Sequence, residues 1–159
     1  MTPLAALGAR LRFNENVLAT ATKDFTEDDW LRRLEGGTSH ALWICGHLAV
    51  SRRGLLRALG KELAPAAWEP VFGRGSKPGA GLVGVTSQEL KDDFQATGAA
   101  LAERLAAMSD DEAQRPYPRK LPDGSTTLEG AAHFFYWHET YHLGQLGILR
   151  KACGKPGIA

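Results

Sequence analysis

The chain has 159 residues, 43% of them hydrophobic, with 19 basic and 18 acidic side chains and a formal net charge of +1. That length suits a single domain, 1–159, with a sizeable core, and the interspersed charges exclude nucleic acid and an anionic membrane surface as default partners. The two cysteines, Cys45 and Cys153, form no disulfide framework, and no apolar run is long enough to span a bilayer, so a soluble protein of the reducing cytoplasm is expected.

The first helical segment is predicted from Thr2 to Thr22, because Leu4, Leu7, Leu11, Asn14 and Leu18 recur at spacings of three and four. Its start, Met1-Thr2-Pro3-Leu4, lacks the charged region and apolar run of a signal peptide. A short helix is expected near Thr26-Glu27-Asp28-Asp29. The second long helix is predicted from Ser39 to Leu59, with Leu42, Cys45, Leu48, Ala49, Leu55, Leu56 and Leu59 as its apolar positions. Residues 61–85 then carry Pro65, Pro70, Gly73, Gly75, Pro78, Gly79, Gly81 and Gly84. So long a connection is expected to be a crossover or a functional lid.

The third long helix opens on a capping-box pattern, Thr86 to Glu89, and continues through Leu90, Phe94, Leu101 and Leu105 to about Met108. Another short helix is expected near Ser109-Asp110-Asp111-Glu112, followed by a proline-bearing loop over 115–125. The fourth runs from Thr126 to Cys153, closed by Gly154 and Pro156. Four long helices with no alternating strand predict an all-α fold, a four-helix bundle.

Two features are discounted. The pattern Gly79-Ala80-Gly81-Leu82-Val83-Gly84 has the spacing of a dinucleotide fingerprint but follows Lys77-Pro78 rather than a strand, so it is expected to be a flexible loop. The basic clusters Arg52, Arg53, Arg57 and Arg115, Arg119, Lys120 are expected to be solvated faces. A role for Arg52 or Arg53 against an anionic substrate is the less favoured reading.

The chemistry concentrates in the last helix. His138 and His142 lie four residues apart, about 40° around a helix and about 6 Å along it, so both can reach one divalent ion. His47 stands in a separate apolar segment, Trp43-Ile44-Cys45-Gly46-His47-Leu48. Alone it reads as a satisfied core histidine, and the pair alone as a helix face bearing two polar aromatics. Polar groups aimed inward from two helices are costly unless something partners them. The expected metal ligands are therefore His47, His138 and His142.

Other candidates fall away on geometry. His133 points about 140° from His138 and is expected at the surface; His40 lies about 10 Å along the axis from His47; and Cys45 is turned about 200° from His47, as a small core residue. Gln145, seven residues after His138, shares its face and is placed to hold a water or a substrate carbonyl. Tyr141, three after His138, is placed to hydrogen-bond near the ion. Glu139 is rotated about 100° from His138, and either borders the site as a base or orients a neighbouring helix. Trp43 and Trp137 either wall the pocket or belong to the core. The stretch His138-Glu139-Thr140-Tyr141-His142 also matches the zincin pattern, with Glu139 as general base. However, only 17 residues follow His142, and they contain no His, Asp or Glu to supply a further ligand.

Taken together, Gly46-His47-Leu48, the run from His138 to Leu146, the ending from Leu149 to Pro156, and Trp68-Glu69-Pro70-Val71-Phe72-Gly73-Arg74-Gly75 resemble the DinB/YfiT-like superfamily of helical-bundle metalloenzymes. The resemblance covers essentially the whole chain. It implies an up-down-down-up bundle with the long crossover between its second and third helices. It implies one metal held by three histidines, which map onto His47, His138 and His142, and a homodimer. It also implies a low-molecular-weight thiol that attacks a small electrophile. Imidazoles suit zinc, nickel, copper or iron; zinc or nickel is expected, with iron as a further candidate. The leading expectation is a metal-dependent transferase or hydrolase acting on a small molecule. The alternative is a non-catalytic, metal-binding stress-response bundle, with a zincin-type hydrolase a distant third.

Overall fold

The computed structural model describes residues 2–35, 39–79 and 84–158. Four long helices dominate: α1 (Pro3–Ala21), α3 (Ala41–Ala58), α5 (Ser87–Ala106) and α7 (Leu128–Ala152). Three short ones, α2 (Glu27–Leu31), α4 (Glu69–Phe72) and α6 (Asp110–Ala113), lie in the connections. Among the described residues there is no strand, only an isolated bridge between Pro116 and Thr127. None of the described helices is long and apolar enough to cross a membrane.

Local chemistry sets the helix starts. Thr2, Ser109 and Thr127 each accept a backbone N–H of the first turn, which satisfies a donor the helix itself leaves orphaned. Thr26 with Asp29 and Thr86 with Glu89 form reciprocal capping boxes. Helix α3 starts on His40, whose ring Nδ1 accepts the Trp43 N–H at 3.1 Å. Helix α7 ends at Cys153 and is followed by Gly154 at φ +72°, a left-handed position that suits glycine.

The long helices pack around a ring, with α1 and α3 each against both α5 and α7. One core cluster joins Leu18, Leu42, Ile44, Leu48, Leu90, Phe94 and Leu146; a second joins Leu4, Leu11, Leu55, Leu101, Leu105 and Phe135.

Arg52 and Arg53 do not lie on the solvated face expected of them. Arg52 is 1% exposed. Its guanidinium donates to Glu139 Oε1 at 2.6 Å and Oε2 at 2.9 Å, Glu15 Oε1 at 3.0 Å, Phe94 O at 2.6 Å and Leu11 O at 2.7 Å. All five donors are used, and one side chain of α3 thereby ties α1, α5 and α7 together. Arg53 donates to Glu69 Oε1 at 2.7 Å and Asp93 Oδ1 at 2.5 Å, while Arg57 donates to Glu69 Oε2 at 2.7 Å. These bonds hold Glu69 far below the usual carboxylate range, to about 2, with Arg57 as the main cause. The basic cluster is thus a clamp that fastens α4, in the middle of the crossover, onto α3.

The glycine-rich pattern over 79–84 falls largely outside the described residues, which include only its ends. The Gly79 carbonyl accepts from Arg33 at 3.0 Å and lies 3.0 Å from His40 Nε2.

Candidate metal centre

The clamp on α4 has a direct consequence for His47. A Cβ added at Gly46 would sit 2.3 Å from Phe72 Cγ, so the Phe72 ring lies flat against α3 where only glycine leaves room. This places the Phe72 carbonyl 2.8 Å from His47 Nδ1. A carbonyl can only accept, so Nδ1 carries the proton and the Nε2 lone pair is free. Trp43 stacks on the other side of the ring, with centroids 4.7 Å apart and planes within 9°, and is itself held by a bond from its Nε1 to Ser76 Oγ at 3.1 Å.

Helix α7 presents the other two histidines. His47 Nε2 lies 3.1 Å from His138 Nε2, and the His138 and His142 ring centroids are 4.6 Å apart. One ring nitrogen from each of His47, His138 and His142 falls within 4.8 Å of the others, so the three form a group that can hold a metal ion. His142 Nδ1 donates to Gln145 Oε1 at 2.7 Å, and the Gln145 amide donates to the Tyr141 hydroxyl at 3.2 Å. With the amide oxygen turned towards His142, Nδ1 carries the proton and the Nε2 lone pair of His142 is free as well. His138 Nδ1 is buried without a partner.

Burial lowers the pKa of all three rings. His138 falls to about 3, with repulsion from His142 and His47 adding to desolvation, and His142 to about 4; His47 is lowered mainly by desolvation. The rings are therefore neutral at neutral pH, the form that ligates a metal. The free Nε2 lone pair of His47 meets His138 Nε2 at 3.1 Å, a contact that is favourable only with a proton or a cation between the two nitrogens. The donor set fits a cation: three neutral nitrogens, two of them oriented through the other ring nitrogen by an acceptor, as metal-binding histidines usually are.

The histidines line a cavity of about 400 Å³ with Val50, Leu121, Pro122, Phe134, Trp137 and Tyr141. A larger depression of about 500 Å³ between α1 and α5, bordered by Arg12, Phe13, Lys91 and Gln95, contains none of the candidate ligands.

The remaining candidates divide. Gln145 and Tyr141 are brought to the histidines, Gln145 by bonding His142. Trp137 is 58% exposed and borders the cavity, stacked on Tyr141 with centroids 5.9 Å apart. Trp43 lies behind His47 rather than along the cavity. Glu139 is not brought to the histidines. It is 1% exposed, and both its oxygens are taken, by Arg52 and by Asn14 Nδ2 at 3.0 Å. His133 is exposed and Cys45 fully buried, its thiol pushed up to about 12 by desolvation. The Phe72 carbonyl, Arg74, Tyr117 and Arg119 were not foreseen at the site. They stand in connections, where no periodicity gives their direction, and the proline-bearing loop is folded back by backbone bonds from Tyr117 N–H to Thr126 O at 2.7 Å, Leu128 N–H to Arg115 O at 2.9 Å and Leu121 N–H to Ser125 O at 3.0 Å.

An all-helical chain that gathers three neutral imidazoles from two helices beside a cavity fits a metal-binding bundle. A family model described as the DinB superfamily matches residues 10–146, a span that includes all three histidines, and the chain belongs to that superfamily. No curated protein matches it.

Proposed function

We propose that the protein is a metal-dependent enzyme, a transferase or hydrolase acting on a small molecule, with its divalent cation held by His47, His138 and His142. The observation that carries this reading is that one ring nitrogen from each of His47, His138 and His142 lies within 4.8 Å of the others, with His47 held through Nδ1 by the Phe72 carbonyl and His142 held through Nδ1 by Gln145. Zinc or nickel is the expected ion, with iron third. Such a cation supplies a Lewis-acid centre with coordination positions open to an incoming ligand.

The chain's own residues have separable tasks. Gln145 orients His142 and holds the Tyr141 hydroxyl, which offers a hydrogen bond to a ligand in the cavity. Glu139 is a positioning residue: its carboxylate is consumed by Arg52 and Asn14, so it serves as no general base, which weighs against the zincin reading. A transferase of this kind takes a low-molecular-weight thiol as co-substrate. In support, neither Cys45, buried in the core, nor Cys153, at the end of α7, lines the cavity, so a thiol nucleophile would have to come from solution.

The reading includes one domain with an up-down-down-up order of helices. The composition of the two core clusters supports it: one takes the C-terminal half of α1 with the N-terminal halves of α3 and α5, and the other takes the opposite ends. It includes a cytoplasmic homodimer. In support, both cysteines are free, and α7 exposes Ile148, outside the cavity, at 59%.

The competing reading is a non-catalytic bundle stapled by its metal. Against it, the buried Arg52 bonds already join the four long helices without an ion. Turnover of a panel of thiols and electrophiles, before and after chelation, tests the proposal. The enzyme stands if chelation leaves the fold intact and abolishes turnover. The staple wins if chelation melts the protein and no thiol perturbs the spectrum of the cobalt-substituted form.

A further inference from the structure

We propose that the cavity beside the histidines selects an organic carboxylate with an aromatic or branched apolar body, and that Arg74 and Arg119 recognise its charge. The inference deepens the metal-enzyme reading and rests on it only in that the ligand enters the same cavity.

The two arginines reach the cavity from segments remote in sequence. Arg74 stands two residues beyond the end of α4, and Arg119 lies in the loop between α6 and α7. Both are exposed, and neither makes a hydrogen bond or ion pair among the described residues. Most of the chain's other guanidinium groups are engaged. Arg12, Arg52, Arg53, Arg57 and Arg104 hold carboxylates, and Arg33 and Arg150 hold carbonyls. Among the described residues no Asp or Glu lines the cavity, so nothing in the wall offsets the two positive charges. A planar guanidinium presents paired N–H groups that match a carboxylate.

The rest of the wall defines the body of the ligand. Val50, Leu121, Pro122, Phe134 and Trp137 are apolar, and the volume of about 400 Å³ lies at the small end of small-molecule sites, which run from about 300 to 1,000 Å³. Trp137 and Tyr141, stacked and more than half exposed, offer flat faces that an aromatic or branched chain would cover. A hydrophilic anion such as inorganic phosphate would use the arginines and leave these faces wet.

The test is calorimetric titration with 3-phenylpropanoate and its neutral counterpart 3-phenylpropanamide. It is run on zinc-loaded and chelator-treated protein, for the wild type, Arg74→Gln, Arg119→Gln and the double variant. Because both side chains are exposed and unpaired, the variants should fold as the wild type does. The wild type should prefer the carboxylate by about tenfold or more. Each single variant should lose part of that preference and the double variant all of it, with affinity for the amide and zinc stoichiometry unchanged. An equal response of wild type and double variant overturns the proposal, as does failure of 3-phenylpropanoate to bind the wild type at millimolar concentration. So does a preference that vanishes on chelation and survives in the zinc-loaded double variant, since the cation would then be reading the charge. Should the protein take up no zinc, the metal reading fails by itself, and the preference measured without metal still decides the role of the arginines.

Discussion

Arg52 of α3 and Glu139 of α7 meet in a two-pronged ion pair, Nε to Oε1 at 2.6 Å and Nη2 to Oε2 at 2.9 Å, at the residue next to a candidate ligand. The pair sets the rotation of α7, and with it the direction of His138 and His142. Asn14 and Glu15 complete the bonding from α1. Removing one partner of so buried a pair leaves an uncompensated charge and costs about 3–5 kcal/mol. We expect Glu139→Ala to lose stability on that scale in urea denaturation of the metal-free protein, and to weaken zinc binding although Glu139 is no ligand. Arg52→Met with Glu139→Leu should recover much of the stability. Full stability in Glu139→Ala would show that the pair holds nothing.

This network was partly legible in the sequence. Asn14, Arg52 and Glu139 each occupy a position on an apolar stripe: Leu11-Asn14-Leu18, Leu48-Arg52-Leu55 and Phe135-Glu139-Leu143. Polar residues in register on three stripes are what a shared buried network requires, whereas a count of neighbouring charges suggested solvent. The long helices were read to within about two residues because Thr2, Thr86 and Thr127 mark their starts. The histidine pair was legible because its spacing is local to one helix. The support of His47 by Phe72 was not, since it depends on where the crossover is clamped. Arg119 stands exposed, as its basic cluster suggests, but that this face borders the cavity depends on the path of the loop and not on composition.

Metal binding should depend on each of the three histidines and, less strictly, on the residue that orients His142. His47→Ala and His142→Ala should each abolish stoichiometric zinc in elemental analysis of dialysed protein. Gln145→Leu removes the acceptor of His142 Nδ1 and should weaken affinity by about 10–100-fold while leaving the stoichiometry reachable at high zinc. Unchanged affinity in Gln145→Leu would mean that the 2.7 Å bond to His142 does not serve the metal.

Gly46→Ala sets two effects against each other. Alanine favours a helix interior over glycine by about 0.5–1 kcal/mol. Here, though, the new methyl would lie 2.3 Å from Phe72 Cγ, and overpacking typically costs about 1–3 kcal/mol. The second effect should win, because Arg53 and Arg57 hold Glu69 and leave α4 little freedom to retreat. The expected outcome is lower stability together with weaker zinc binding, since displacing Phe72 takes its carbonyl from His47 Nδ1. Combining Gly46→Ala with Phe72→Ala should restore stability in part but not zinc affinity. A stabilised, fully zinc-competent Gly46→Ala would refute the proposed seating of α4.

The histidines also predict how the metal-free protein responds to acid. His138 and His142 have folded pKa values of about 3 and about 4, against about 6.5 in an unfolded chain. Between those values the unfolded state binds more protons, so stability rises with pH through the window and is fully present above about pH 6.5. Acidification from pH 6.5 towards 4 should therefore destabilise the protein, by at most about 1.4 kcal/mol per pH unit for each histidine. His40 and His47 are shifted in the same direction by burial and add to the slope. Glu69, held at about 2, works in a lower window, because its stabilisation is lost only as pH falls from the ordinary carboxylate range towards that value. Glu15 and Asp93, both raised by burial, work with the opposite sign, so the histidine contribution is read as the difference between wild type and a variant lacking the two rings. Urea midpoints from about pH 6.5 to 4.5 should flatten in His138→Gln/His142→Gln relative to the wild type. Saturating zinc should raise the wild-type midpoint and move its decline to lower pH, because bound metal competes with protons for the same nitrogens. Parallel profiles for the two proteins would mean that folding leaves the two imidazoles at their unfolded pKa, so that burial gives them no added preference for the neutral, metal-ligating form.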